Sequence, residues 1–342
     1  MSVLLVLVFL LLLLLLLPPP GAPGAPPPRR RLGVPNCTAH TYRQNVDHFG
    51  YDAAVPTYDQ RYFTYDGFVD KEDHKTGHKT RPSVVFFYCG NEDNVELYVN
   101  NTGLMWELGA TMNAMLVFAE HRYYGESDPS ASLPPAQRGP PQCLQYLTTE
   151  QATADYATLI RNLRLGWGDT DNEIPFIGFG GSYGGMLGAW MRMRYPDALD
   201  GMVAASAPIL SFEGLTPAYD PATYDRIVTR DAGGPGSGAA PACAENLRAA
   251  WPRIEALSKT INGRATLSTA FSTCAPLSTE AEAAGLVGWG QANVAYMAMG
   301  NYPYPSDYMT HGDGFPMVAW PMRAACAFLK DPALADGHPS HD

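Results

Sequence analysis

The segment GGSYGG at residues 180–185 is the part of this sequence best suited to carry out a reaction. It places Ser182, with its aliphatic hydroxyl, and Tyr183 between two pairs of glycines. A serine hydroxyl becomes a nucleophile only when it is exposed, aligned and deprotonated by a neighbouring base. Glycines at positions 180 and 184 give the G-x-S-x-G spacing that lets a chain turn sharply from a strand into a helix, with the serine at the turn. We therefore predict that Ser182 is a catalytic nucleophile.

The helix that would follow this turn also has a predicted role. Its N-terminus points at the reacting carbonyl, and unpaired N–H groups there favour negative charge. The backbone N–H of Tyr183 is thus expected to stabilise the oxyanion that forms when Ser182 attacks.

A base for Ser182 is harder to find. In this type of site an acidic residue and then a histidine follow the serine along the chain. The histidines after Ser182 are His311, in a polar turn, and His338 and His341, near the end of the sequence. His121 precedes the serine, and we expect it to position a loop rather than act as a base. We thus expect that the chain as written does not hydrolyse peptides at a full enzymatic rate.

The elements that would position Ser182 alternate between apolar strands and amphipathic helices from about residue 40. Strands are predicted at 83–88, 115–119, 174–179 and 201–205, and helices at 97–112, from 148 onward, and at 184–195. Thr148 and Gln151 have the spacing of a capping box. Continuous apolar strands joined by helices predict a parallel sheet covered on both faces. The fold class is therefore α/β, of the α/β-hydrolase type, with helices at 244–257 and 281–297 in a mainly helical cap region.

The termini and overall charge narrow the functional classes. The net charge of −11 argues against binding to nucleic acid or to an anionic membrane. Residues 3–17 form an apolar run of signal-peptide length, which predicts a signal peptide at 1–25 and a disordered junction at 26–39. Three arginines at 29–31 follow the run, so a membrane anchor is the alternative. No cysteine or histidine spacing indicates a metal site, and we expect no cofactor.

Two sequons and six cysteines agree with a secreted protein. Asn36 and Asn100 each begin an N-x-T triplet and are predicted glycosylation sites. The cysteines permit disulfides in an oxidising compartment, but their spacing leaves the pairing open.

Several longer stretches resemble one family. These are NVDHF (45–49), GNE (90–92), NNTG (100–103), AMLVFAEHRYYGES (114–127), GGSYGGML (180–187), AASAPI (204–209) and YPY (302–304). Together they make the chain similar, over about residues 40–335, to the serine exopeptidases that comprise the Pro-X carboxypeptidases and dipeptidyl peptidase II. The resemblance implies cleavage beside proline at acid pH in a lysosome, a vacuole or outside the cell. The implied partner is a peptide with proline next to the scissile bond.

The same resemblance implies roles for particular residues. Ser182 takes the place of the nucleophile, and the Gly90–Asn91 loop would join Tyr183 in the oxyanion hole. Met186 would line a pocket for the proline ring, with a core methionine as the alternative. The stretch 120–125 would brace the site.

The cysteines of the cap are also assigned by resemblance. It implies a disulfide between Cys243 and Cys326, and leaves Cys274 without a partner in this sequence. Cys89 and Asp93 depart from the family, which usually has threonine and glycine at these positions near the oxyanion loop.

The resemblance also divides the chain. It implies the N-terminal part of an α/β-hydrolase domain at 40–208 and a truncated helical cap at 209–342. In the family the Asp and His of the triad come from a C-terminal stretch without a counterpart here, so we expect a fragment. The alternatives are an inactive short form that binds peptides or a partner, and an aminopeptidase like dipeptidyl peptidase II. A homodimer, and a membrane contact through a retained N-terminal segment, stay open.

Overall fold

The structure is a computed structural model that describes residues 33–50, 56–69, 82–234, 236, 239–312 and 314–332. Contacts divide the chain into two compact units, of which the first ends at Pro217. The predicted signal peptide lies outside the described residues. In the part of the chain that is described, none of the helices combines the length and the hydropathy needed to cross a lipid bilayer.

A mixed sheet of six strands forms the framework of the first unit. The strands are β1 Thr38–Asn45, β2 Thr57–Tyr65, β3 Val85–Cys89, β4 Met115–Ala119, β5 Phe176–Gly181 and β6 Gly201–Ala205. Their order across the sheet is β1-β2-β4-β3-β5-β6. Strands β4, β3, β5 and β6 run parallel, whereas β2 is antiparallel to both of its neighbours. The parallel core confirms the predicted fold class.

Helices cover this sheet. They are α1 Val95–Asn101, α2 Gly103–Met112, α3 Thr149–Gly166 and α4 Ser182–Arg194. Phe87 of β3 packs in the core cluster with Tyr156 of α3 and Leu187 of α4. The next residue along β3, Tyr88, stacks on Tyr98 of α1 at 5.3 Å. Because alternate residues of a strand face opposite sides, a strand that is covered on both sides is apolar throughout.

The predicted helix 97–112 is two helices. The hydroxyl of Thr102 donates to the carbonyl of Tyr98 at 2.7 Å, and Thr102 leaves the helical conformation with ψ of 70°. A threonine that bonds back to the preceding turn competes with the helical hydrogen bonds. The break is therefore local, and Gly103 begins the second helix.

The predicted capping box at Thr148 is half formed. The Thr148 hydroxyl accepts from the N–H of Gln151 at 3.3 Å. The side chain of Gln151 does not bond back to residue 148. It donates to Asp47 at 2.6 Å and accepts from the N–H of His48 at 2.9 Å. The glutamine therefore ties the chain that follows β1 to the start of α3.

The strands β1 and β2 were not predicted, and the junction was predicted too long. A 3-10 turn at Val34–Asn36 and the start of β1 occupy residues 34–39, which were expected to be disordered. The polar sequence of β2 conceals it, since Gln60 and Arg61 are buried there. Both find partners across the sheet: Gln60 donates to the carbonyl of Glu120 at 2.7 Å, and Arg61 pairs with its carboxylate.

The second unit is mainly helical where it is described. Its helices are α5 Thr223–Gly233, α6 Cys243–Ser258, α7 Ile261–Ala270, α8 Glu280–Met299 and α9 Pro321–Cys326. A disulfide joins Cys243 at the start of α6 to Cys326 at the end of α9, the pairing that the resemblance implied. Both cysteines are buried in a cluster with Leu247 and Met322.

Candidate active site

The turn between β5 and α4 holds Ser182 in an unusual backbone conformation. Its φ is +51°, in the left-handed region that non-glycine residues seldom adopt. The side chain is exposed, and the residue is the first of α4. Strain of this kind persists only where the surroundings enforce it, and it is typical of functional positions. The geometry is that of a nucleophile elbow, which presents the hydroxyl at the carboxyl end of a parallel strand.

The two glycines of the motif are required by close packing. A Cβ on Gly180 would overlap the carbonyl of Gly184 in the next turn. A Cβ on Gly184 would lie 2.6 Å from the carbonyl of Cys89 and 3.3 Å from the Cβ of Asn91. The absence of side chains at these positions therefore lets the elbow lie directly against the end of β3.

The loop after β3 contains the two predicted oxyanion residues Gly90 and Asn91. Asn91 is 3% exposed, and its Nδ2 donates to the carbonyl of Gly181 at 3.4 Å. The N–H of Gly90 donates to the carbonyl of Ala119 at 3.1 Å, and the Gly90 carbonyl accepts from the hydroxyl of Tyr156 at 2.6 Å. Both backbone groups of Gly90 are thus in use. The Gly90 N–H therefore holds the loop against β4, while the role of Gly90 in the oxyanion hole stays a prediction.

Tyr183 and His121 meet beneath the elbow. His121 is fully buried, and its Nε2 lies 3.2 Å from the Tyr183 hydroxyl. Its Nδ1 lies 2.6 Å from the carbonyl of Arg122. Burial lowers the pKa of His121 to about 4, so the ring is neutral near pH 7. Burial, followed by the negative charge of Glu92, raises the pKa of Tyr183.

The histidines described in residues 33–217 are all engaged away from Ser182. His40 bonds to Thr64 at 2.8 Å, and His48 bonds to Asp155 at 2.7 Å. His121 is held as above. In this described part of the first unit, no histidine bonds to the Ser182 hydroxyl.

Glu120 braces the chain after β4. Its buried carboxylate pairs with Arg61 at 2.7 Å and accepts from the N–H of Val95 at 3.1 Å and from the hydroxyl of Ser127 at 2.7 Å. A Cβ on Gly125, where φ is +55°, would overlap this carboxylate. The loop that starts with Glu120 is therefore folded tightly around one buried charge.

A second buried ion pair was missed by the sequence analysis. Both oxygens of Asp155 accept from Arg122, at 2.7 and 2.8 Å, and neither side chain is exposed. Tyr58 and His48 also bond to this carboxylate, each at 2.7 Å. Burial alone would raise the pKa of Asp155, but hydrogen bonds and charge from Arg122 and His48 outweigh it and lower that pKa. The available signal was an aspartate one turn from Ala152 on the apolar face of α3.

The remaining predicted site residues lie in the first unit. Met186 is half-buried in α4, one turn after Ser182. The two sequon asparagines are close together, since Oδ1 of Asn100 accepts from the N–H of Val34 and Oδ1 of Asn36 accepts from the N–H of Gly33, each at 3.2 Å.

Comparisons with known proteins agree with this geometry. Residues 44–337 match the family described as serine carboxypeptidase S28. The chain is 40% identical over 295 residues to a lysosomal Pro-X carboxypeptidase of Pongo abelii, and 40% identical over 297 residues to that of Homo sapiens. Each alignment covers 86% of this chain and 54% of the relative, so the chain spans about half the length of the curated relatives that it matches.

A solved proline iminopeptidase of Mycobacterium smegmatis is similar at 16% identity, with a TM-score of 0.33, over 81% of this chain and 74% of that one. A similarity at this level carries no argument on function. The sequence matches suffice, because the family match extends over most of the chain and includes the elbow. The chain belongs to the serine carboxypeptidase S28 family.

Proposed function

We propose that this chain carries the nucleophile and the oxyanion site of a serine exopeptidase that cleaves peptides beside proline. The observation that carries the proposal is Ser182 itself, exposed at a strand-to-helix turn with φ of +51°. Ser182 differs from other serines with positive φ because it lies between a parallel strand and a helix, with close-packed glycines at 180 and 184.

Each residue of the elbow has a part in the proposed acyl transfer. The Ser182 hydroxyl attacks the carbonyl carbon of proline. Its proton passes to a base other than the three histidines that are described in residues 33–217. The N–H of Tyr183 and the loop at Asn91 stabilise the oxyanion. The amino group of the following residue then leaves with a proton, and water releases the peptide from Ser182. Met186 lines the pocket that receives the proline ring.

The names of the relatives support the substrate and the location. Pro-X carboxypeptidases release the residue after proline, and those of Pongo abelii and Homo sapiens are named lysosomal. For this chain we propose a peptide substrate with proline before the scissile bond, and a lysosomal or secreted location. Residues 40–208 would form the hydrolase part and residues 209–342 the cap. Asn36 and Asn100 would carry glycans.

One observation favours a second candidate function. Each of the three described histidines in residues 33–217 has a partner other than Ser182. A chain that binds a peptide at the elbow without a base would hold the peptide and not cleave it. The second candidate is therefore a peptide-binding protein without full activity.

A peptide assay with matched variants separates the two. The probe is an N-acetylated peptide that ends in Pro-Phe, with one that ends in Ala-Phe for comparison. Acetylation prevents cleavage by an aminopeptidase, so release of phenylalanine reports a carboxypeptidase. Ser182→Ala removes the nucleophile. Ser206→Ala is the control, since Ser206 is also exposed and has φ of +48° at the end of β6.

The first candidate predicts release of phenylalanine from the Pro-Phe peptide by the wild type and by Ser206→Ala, slower than a full enzymatic rate, and a still lower rate in Ser182→Ala. Oxyanion stabilisation and binding alone leave a rate roughly 10³ above that in water, so the assay must be sensitive enough to detect slow release. Binding of the peptide without release, equal in wild type and Ser182→Ala, supports the second candidate. If the wild type neither binds nor cleaves the peptide, both candidates are contradicted.

A further inference from the structure

The elbow contains a single large side chain. Of the six residues 180–185, four are glycines and one is Ser182, whose hydroxyl must stay free to react. Glycine-rich backbone is the most conformationally free, so this turn needs an anchor to keep one conformation. Tyr183 is the residue able to supply it, and its ring packs against the core cluster of the sheet.

The partner of that anchor is His121. The hydroxyl of Tyr183 lies 3.2 Å from Nε2 of His121, and the ring centroids are 5.5 Å apart. We infer that His121 is a positioning residue, which accepts a hydrogen bond from the Tyr183 hydroxyl and thereby holds the Tyr183 N–H in the orientation that the oxyanion requires. The inference rests on the proposed function of Ser182 and adds a residue to its machinery.

The protons of His121 can be assigned from its neighbours. Nδ1 lies 2.6 Å from the carbonyl of Arg122, which only accepts, so Nδ1 carries the hydrogen. Nε2 then has a free lone pair, and the Tyr183 hydroxyl donates to it. The Arg122 carbonyl is itself fixed, because the Arg122 side chain is locked in its pair with Asp155. Burial lowers the pKa of His121 to about 4, so the accepting form exists at acid pH near 5 as well as at pH 7.

The surroundings of His121 exclude a role as the base for Ser182. The ring is fully buried, and both of its nitrogens are occupied. Tyr124 and Tyr156 pack edge-on against it, with centroids at 5.3 and 6.4 Å. Tyr156 also donates to the carbonyl of Gly90 in the loop beside the elbow. One buried aromatic cluster therefore supports both sides of the proposed oxyanion site.

The direct test is Tyr183→Phe, which removes the hydroxyl and keeps the ring. Misplacing a group in an active site by about 1 Å costs on the order of 10²-fold in rate. We expect kcat on the Pro-Phe peptide to fall about 10-fold or more, with KM unchanged, because the oxyanion exists only in the transition state. Tyr42→Phe is the control, since its ring also packs against the core cluster but has no part in the site, and its kcat should stay within about 2-fold of the wild type.

A second variant and two physical measurements guard against a folding defect. His121→Asn keeps a donor for the Arg122 carbonyl and removes the acceptor for Tyr183, so it should show the same loss of kcat. Hydrogen–deuterium exchange of residues 182–187 should be faster in Tyr183→Phe than in the wild type or in Tyr42→Phe. The ¹⁵N resonances of His121 in the wild type should show the tautomer protonated at Nδ1.

The outcomes separate this inference from the proposed function. If the wild type releases phenylalanine and Tyr183→Phe keeps its kcat and its exchange rates, the positioning role is wrong while the peptidase function stands. If the wild type releases no phenylalanine, the peptidase function fails, and hydrogen exchange and the ¹⁵N data then test the positioning role. An unchanged exchange rate of residues 182–187 in Tyr183→Phe, or a proton on Nε2 of His121, overturns the inference. Faster exchange together with the Nδ1 tautomer supports it.

Discussion

Asp155→Asn should destabilise the first unit severely. The substitution keeps the size of the side chain and removes its charge. In the wild type this carboxylate is the counter-ion of Arg122, with both groups fully buried. It also accepts from Tyr58 and His48. An asparagine has one acceptor oxygen for these four donor contacts, and its own N–H₂ would face donors.

The magnitude follows from the burial of the pair. Breaking a buried ion pair by removing one partner leaves a charge in a region of low dielectric and costs about 3–5 kcal/mol. The whole free energy of unfolding of a domain is about 5–15 kcal/mol, so this change removes a large part of it. The same chain contains a matched exposed pair, Arg161 with Asp197 at 2.8 Å, whose side chains are 46% and 48% exposed. Exposed pairs contribute about 0.2–1 kcal/mol, so Asp197→Asn should cost no more than that.

Urea denaturation of the wild type and the two variants measures both losses. Hydrogen exchange of α3, which carries Asp155, reports the first unit separately from the second. If Asp155→Asn and Asp197→Asn lower the free energy of unfolding equally, the reasoning from burial is refuted.

Three further predictions concern other parts of the fold. The stability contribution of neutral His121 is complete above pH 6.5 and declines by about 3 kcal/mol as the pH falls to 4, because the unfolded chain takes up the proton first. His121→Gln should therefore flatten a plot of unfolding free energy against pH by that amount. An unchanged slope would contradict this reasoning. Gly90→Ala should abolish soluble expression, since its Cβ would overlap the carbonyl of Ala119, and normal yield with an unaltered melting temperature would count against this contact. Replacing both Cys243 and Cys326 by serine removes a crosslink between residues 83 apart in the sequence. Calorimetry should show that the free energy of unfolding of the second unit falls by about 4–5 kcal/mol. A fall below about 1 kcal/mol would mean that the disulfide contributes little.

Much of the fold could be predicted because its signals are local. The strands β4 and β6 have the predicted bounds, and the other two parallel strands shift by only a few residues. Their continuous apolar runs reflect burial on both faces, which needs no knowledge of the partner. The strand β2 was missed because buried Gln60 and Arg61 conceal its pattern, and their burial makes sense only once the partners are known.

The candidate site divides in the same way. The sequence by itself identified the candidate nucleophile, because the glycines within five residues around Ser182 are those that a sharp strand-to-helix turn requires. Only the tertiary structure decided which polar groups support it. Asp155 takes partners 33 and 107 residues away, and the N–H of Gly90 is used by β4. Apolar burial is non-directional and shows in sequence periodicity, whereas a buried hydrogen bond depends on the position of one particular partner. That position is set by the packing of the sheet and its helices, which the order of residues does not reveal.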